Sequence, residues 1–178
     1  MSVSLSVPAN ISFEQAIEVT QSMLAEMASG GLSPASVKSL ISDLVKTENG
    51  ARGFFVTYLT DDRPVADSAS AEVVEALASS EEIVSPLLVK NVAMSAGMAV
   101  AHRRSGDETM AASSQRVTKR SLDLLSQLQF PLASQIARDL QESARSGAGE
   151  WERFLQRWRY DGEQRQAIEQ ALQAVVGE

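Results

Sequence analysis

The chain reads as an all-α protein, a multi-helix bundle of about seven to nine helices around a buried central helix at 81–104. Three observations predict this. Residues 83–101, IVSPLLVKNVAMSAGMAVA, distribute Leu87, Leu88, Val89, Val92, Ala93, Met94, Met98 and Val100 around a whole helix circumference. A helix apolar on all sides belongs in a large core or a membrane. Elsewhere apolar residues recur at i, i+3, i+4 and i+7, the period of a helix and not of a strand. Finally, a chain of 178 residues without cysteine buries roughly 70% of its unfolded surface on folding, so its core needs neither disulfide nor metal.

The core reading of 83–101 is preferred to a membrane span because Pro86, Lys90 and Asn91 fall within it. A lysine at the centre of a span costs about 2.5–3.5 kcal/mol. The opening MSVSLSVPAN carries neither a basic segment nor a long apolar run, so no signal peptide is expected. With no cysteine either, a cytoplasmic protein is expected.

The elements follow in order. Ser12 is a fitting N-cap for a helix using Phe13, Ala16, Ile17, Thr20, Met23, Leu24 and Met27, ended by Gly30-Gly31. Ser33-Pro34 is the preferred cap-then-proline start of a second helix with Val37, Leu40, Ile41, Leu44 and Val45 on one face. Residues 51–60, ARGFFVTYLT, have strand-favouring side chains, yet Ala51, Phe54, Phe55, Tyr58 and Leu59 form a helical stripe. With no second strand to satisfy its backbone, the segment is read as helix. Asp61-Asp62-Arg63-Pro64 is a loop by its turn chemistry. Ser70 caps a short helix using Val73, Val74 and Leu77, and Ser80 with Glu81 and Glu82 starts the central helix, acids suiting its positive end. His102-Arg103-Arg104 closes that helix with cations. Beyond Ser105-Gly106-Asp107, the residues Met110, Ser114, Val117, Ser121, Leu124, Leu125 and Leu128 are expected to face the core of a long helix. Pro131 begins another, through Leu132, Ile136 and Leu140.

Ser146-Gly147-Ala148-Gly149 is the most linker-like stretch. It suggests a main bundle at 1–146 and a C-terminal helical hairpin at 147–178, docked on the bundle or hinged to it. The hairpin's first arm has Trp151, Phe154, Leu155 and Trp158 at helical spacing, Tyr160-Asp161-Gly162 turns the chain, and Ile168, Leu172, Val175 and Val176 line the second arm.

Composition excludes more chemistry than it suggests. The lack of cysteine removes thiolate metal sites and cysteine nucleophiles, and a single histidine, His102, rules out paired-histidine metal motifs. There is no glycine-rich phosphate loop and no nucleophile elbow. No catalytic residue, metal or cofactor is expected, and the chain leans away from being an enzyme. The pairs Asp61-Asp62 and Glu81-Glu82 are explained by a turn and a helix start.

Charge is uneven. Residues 1–102 hold 5 basic and 12 acidic residues, whereas 103–178 hold 11 of each, ten of the basic ones being arginine. An acidic front half argues against general nucleic-acid binding. Arg103, Arg104, Arg116, Lys119 and Arg120 form a candidate anion-binding set, for which a solvated helix face is the plainer reading. Ala93, Gly97 and Ala101, four apart, favour close helix contact, within the chain in the first instance and in a homodimer as the alternative. Trp151, Arg153, Phe154, Arg157, Trp158 and Tyr160 are the candidate partner-binding residues, because Trp, Tyr and Arg dominate binding hot spots.

The stretch Thr47 to Asp62, TENGARGFFVTYLTDD, resembles part of an uncharacterised helical protein family of cyanobacteria, a likeness extending to Leu88–Arg104. The resemblance carries no function. It implies a cytoplasmic protein of a photosynthetic bacterium, near thylakoid or phycobilisome business. The functional expectation is therefore an interaction or adaptor protein that uses the C-terminal hairpin to bind another protein. A helical enzyme or small-ligand-binding bundle with a site near the His102–Arg104 end is the alternative. Nucleic-acid binding through the arginine set comes third.

Overall fold

A computed structural model describes residues 5–177, and every regular element among them is helical. The α-helices are α1 (Phe13–Ser29), α2 (Pro34–Leu44), α3 (Glu48–Thr60), α4 (Ala71–Leu77), α5 (Glu81–Arg104), α6 (Glu108–Leu128), α7 (Pro131–Ser146), α8 (Glu152–Arg157) and α9 (Gly162–Val176). Single 3₁₀ turns occupy Pro64–Ala66 and Ala78–Ser80. The all-α, multi-helix architecture is as the sequence predicts. The chain packs as two compact units, Met1–Leu87 and Leu88–Glu178, so the division falls inside α5. Residues 147–177 lie within the second unit.

In the first unit α1 packs on α3 and α2 on α4. The capping box at Ser12 and Gln15 starts α1, and Ser33 with Pro34 starts α2. The ambiguous segment at 51–60 is helix, and α3 begins three residues earlier because the Thr47 side chain accepts from the Gly50 N–H at 3.1 Å. Two glycines make this helix fit. A Cβ at Gly53 would stand 2.4 Å from Ala16 Cβ and 2.8 Å from the Phe13 carbonyl oxygen, and one at Gly50 would stand 2.1 Å from the Leu44 carbonyl oxygen. Phe54 then packs edge-on to Phe55 and stacks on Tyr58, all three buried. Asp61 is used by the turn as expected, its carboxylate accepting from the Arg63 backbone N–H and guanidinium at 2.7–2.8 Å.

Three details differ from the sequence reading. Ser80 does not cap a new helix: α4, the 3₁₀ turn and α5 form one helical run from Ala71 to Arg104. Its 3₁₀ turn stays in right-handed helical backbone, leaving no break for a cap. Secondly, α5 is not buried on every side. Val84, Ser85, Leu88, Val89, Val92, Ala93, Ala96, Ala99 and Val100 are buried, but Met94 is half-buried and Met98 is exposed. Thirdly, Met110 does not face the core. It sits in the first turn of α6 and is 46% exposed, while Ala111, Arg120, Ser121, Leu124 and Leu125 make the inner face.

An 18-residue window within Ala71–Arg104 reaches a mean hydropathy of 1.5, and 56% of that window is buried inside the molecule. The apolar run therefore has a protein core to cover it.

In the second unit α7 and α9 form the main pair. Pro131 at the first position of α7 and a capping box between Asp161 and Gln164 at the start of α9 set their beginnings. Ala133, Ala137, Leu140 and Ala144 on α7, with Ile168 and Leu172 on α9, are buried.

Candidate functional site

The most chemically loaded part of the second unit is α8 and the turn after it. The helix has six residues, too few to persist alone in water, so its position depends on what holds it. At its start the Ser143 hydroxyl of α7 accepts from the Trp151 N–H at 3.2 Å. Gly147 and Gly149, at φ +71° and +101°, turn the chain between α7 and α8 in backbone that side chains disfavour. Along the helix, Arg165 of α9 grips Glu152 with two parallel bonds of 2.7 and 2.8 Å. The pair is mostly shielded, with side-chain exposures of 18% and 14%. Each partner stabilises the other's charge: the Glu152 carboxyl is lowered and the Arg165 guanidinium raised. Arg165 also donates to the Tyr160 carbonyl at 3.1 Å.

At the end of α8 the Tyr160 N–H reaches the Leu155 carbonyl and the Arg159 N–H reaches that of Gln156. This is a Schellman ending, in which the residue after the cap takes left-handed backbone and flanking apolar residues meet. Here the left-handed residue is Arg159, at φ +54°, where glycine is usual. Leu155 and Tyr160 are the buried pair of the motif.

Tyr160 fixes this turn to α5. A Cβ at Gly97 would stand 2.8 Å from the Tyr160 ring, and Gln164 donates to the Gly97 carbonyl at 3.1 Å. The small stripe of Ala93, Gly97 and Ala101 thus has an intramolecular neighbour at Gly97. Burial pushes the Tyr160 hydroxyl up to about 12, and that hydroxyl has no hydrogen-bond partner among the described residues. Next to it Arg104 bonds both Asp161 and Glu163. The guanidinium, with the Gln164 N–H, holds the Asp161 carboxyl down at about 2.

The six candidate partner-binding residues therefore separate into two sets. Trp151 and Phe154 are half-buried and packed edge-on, with Lys90 of α5 over the Trp151 ring at 5.6 Å, and Tyr160 is buried. These face the unit's own core. Trp158 is 48% exposed, and Arg153, Arg157 and the neighbouring Arg159 are exposed. None of these three arginines forms an ion pair with a described residue.

The candidate anion-binding residues do not assemble into one patch. Arg104 is occupied by Asp161 and Glu163, and Lys119 by Asp123 at 2.6 Å. Arg116 is half-buried and Arg120 is 2% exposed, so this side of α6 is not the solvated face its composition suggests. Arg103 is exposed at the end of α5. It borders a groove of about 690 Å³ between α5, α6 and α9, which Lys119 also borders. Sequence patterns missed this groove, because no single helix announces it. Among the described residues no group of histidine, aspartate and glutamate is placed to hold a metal.

A family model described as Uncharacterised conserved protein UCP020893 matches residues 12–175. The match covers residues of both units, including Thr47–Asp62. No curated protein and no solved structure matches the chain.

Proposed function

Because the chain belongs to that family of uncharacterised conserved proteins, whose name carries no activity, we propose a function from the geometry of α8: a cytoplasmic interaction protein that docks an acidic partner protein on Trp158, Arg153, Arg157 and Arg159. One observation carries the reading. A tryptophan left 48% exposed is flanked in sequence by Arg157 and Arg159, with Arg153 on the same short helix, and none of the three is ion-paired with a described residue, on a turn tied to three other helices. Large aromatics and arginine are the residues that most often dominate binding energy. A surface held in one shape before binding loses less entropy when the partner arrives. The arginines call for carboxylates on the partner, since a guanidinium bonds a carboxylate through two parallel donors, and the indole calls for an apolar pocket among them.

The test uses the full chain, because α9 supplies core residues and a truncation at residue 146 would remove them. Wild type, Trp158→Ala and an Arg153→Glu, Arg157→Glu, Arg159→Glu triple variant are used to capture cross-linked partners from the native cell. A partner protein with an acidic surface, retained by wild type and lost by both variants, is the expected result. Identical capture by all three, or retention of nucleic acid in place of a protein, overturns the reading.

A further inference from the structure

We infer that the groove between α5, α6 and α9 is a binding site for a small aliphatic molecule with a single anionic head. The site is separate from the α8 surface and does not depend on its role. Its floor is made of short side chains, Ala96 and Ala99 from α5 and Ala167 and Ala171 from α9, with Leu122 of α6 alongside. Alanines leave volume that larger residues would fill, and about 690 Å³ lies within the range of small-ligand sites, roughly 300–1,000 Å³. From Ala96 to Arg103 the groove follows α5 for about 10 Å, the length of a medium aliphatic chain.

The charges select the head group. Lys119 and Asp123 neutralise each other at 2.6 Å on the α6 wall. Arg103 stands in the last turn of α5 and forms no ion pair with a described residue. The groove thus offers, at Arg103, one positive charge without an ion-pair partner among the described residues, and a floor of alanines bordered by the polar Gln115, Thr118 and Gln170 and by the exposed Lys119–Asp123 pair. A carboxylate at Arg103 gains a charge-assisted hydrogen bond, and the tail covers the alanines. The walls are braced beside the site by the hydrogen bond between Ser95 and Thr118 hydroxyls at 2.7 Å, so the cleft is largely formed without a ligand.

The experiment titrates full-length protein with decanoate, and with decanol and decylamine as neutral and cationic counterparts. Amide shifts of Ala96, Ala99, Ala167 and Ala171 are followed by NMR. Saturable shifts at these four residues are expected with decanoate. Affinity should fall about tenfold in Arg103→Gln, a variant whose exposed side chain should leave the melting temperature in place. Decanol and decylamine should bind more weakly by a similar factor. Ala167→Leu, checked for an unchanged melt, should block the site. Decanoate leaving the four alanines unmoved at millimolar concentration overturns the inference. So does equal binding of the three compounds, equal binding by Arg103→Gln, or shifts at the same alanines that depend only on protein concentration, which would assign the groove to a second copy of the chain.

Discussion

At the scale of single residues, Gly97, Tyr160 and Arg159 carry the geometry of the α8 surface. Gly97 is needed because the Tyr160 ring occupies the space of a Cβ. Gly97→Leu should therefore destabilise the protein by about 1–3 kcal/mol through overpacking, read as a lower midpoint in urea. The Tyr160 hydroxyl is buried without a hydrogen-bond partner among the described residues, and an unsatisfied buried polar group is a net cost. Tyr160→Phe should then be at least as stable as wild type at pH 7. Its effect on pH dependence has a definite sign. Burial raises the folded-state value to about 12 from an ordinary value near 10, so the folded state resists ionisation. The contribution is complete below about pH 10 and is lost as pH rises toward 12. Urea unfolding across pH 8–12 should show a shallower alkaline loss in Tyr160→Phe than in wild type. Arg159 holds left-handed backbone at φ +54°, which costs a non-glycine residue roughly 1–2 kcal/mol. Arg159→Gly relieves that strain but widens the unfolded ensemble, leaving a net gain of about 0.5–1 kcal/mol in thermal or urea melts.

At the scale of elements, the two tryptophans of one short segment have opposite roles. Trp151 packs against Phe154 and under Lys90, so Trp151→Ala should cost stability, though less than the about 3–5 kcal/mol of a fully buried tryptophan. Trp158→Ala should change the melt by no more than about 0.5 kcal/mol. Helical spacing could not separate them: Trp151, Phe154, Leu155 and Trp158 share one stripe, and Trp158, the C-cap, keeps right-handed helical backbone with its N–H on the Phe154 carbonyl, so its 48% exposure reflects where the core beneath α8 ends and not a change of helical phase. The helix at 51–60 was legible because Ala51, Phe54, Phe55, Tyr58 and Leu59 match the period. Its glycines were not, since what Gly53 spares is a collision with Ala16, 37 positions away in sequence and brought near only by the α1–α3 packing. Met110 was misplaced for the complementary reason. A first-turn residue satisfies a stripe on paper while Ala111, one position on, takes the buried place. Tertiary packing decided these three, and local pattern decided the caps at Ser12 and Ser33.

At the scale of the whole molecule, the acidity is concentrated in one unit. Residues 1–87 hold 4 basic and 12 acidic residues, and 88–178 hold 12 and 11, balances of −8 and +1. The unit with the exposed arginines is the one with charge to offer the proposed acidic partner, and that proposed association should weaken as salt rises. The fold class could be read from periodicity, because nearly every segment repeats the helical spacing and only residues 51–60 also carry strand-favouring side chains. The place of the surface proposed for docking was suggested by composition, in the clustering of both tryptophans with Arg153, Arg157 and Arg159. Its outward set was not, because Arg104, Lys119 and Glu152 find their partners on other turns or other helices, and only those pairings show which cations remain. The groove beside Arg103 was illegible for the same reason. The central claim is that Trp158 and its arginines face a partner while Trp151 faces the core. It is tested most directly by the dissociation constant between the captured partner and full-length Trp158→Ala, measured beside wild type. The account predicts a loss of at least about 30-fold, the scale of a hot-spot tryptophan at 2 kcal/mol, with an unchanged melting temperature. An unchanged dissociation constant, or a loss that follows only from a lowered melting temperature, would contradict it.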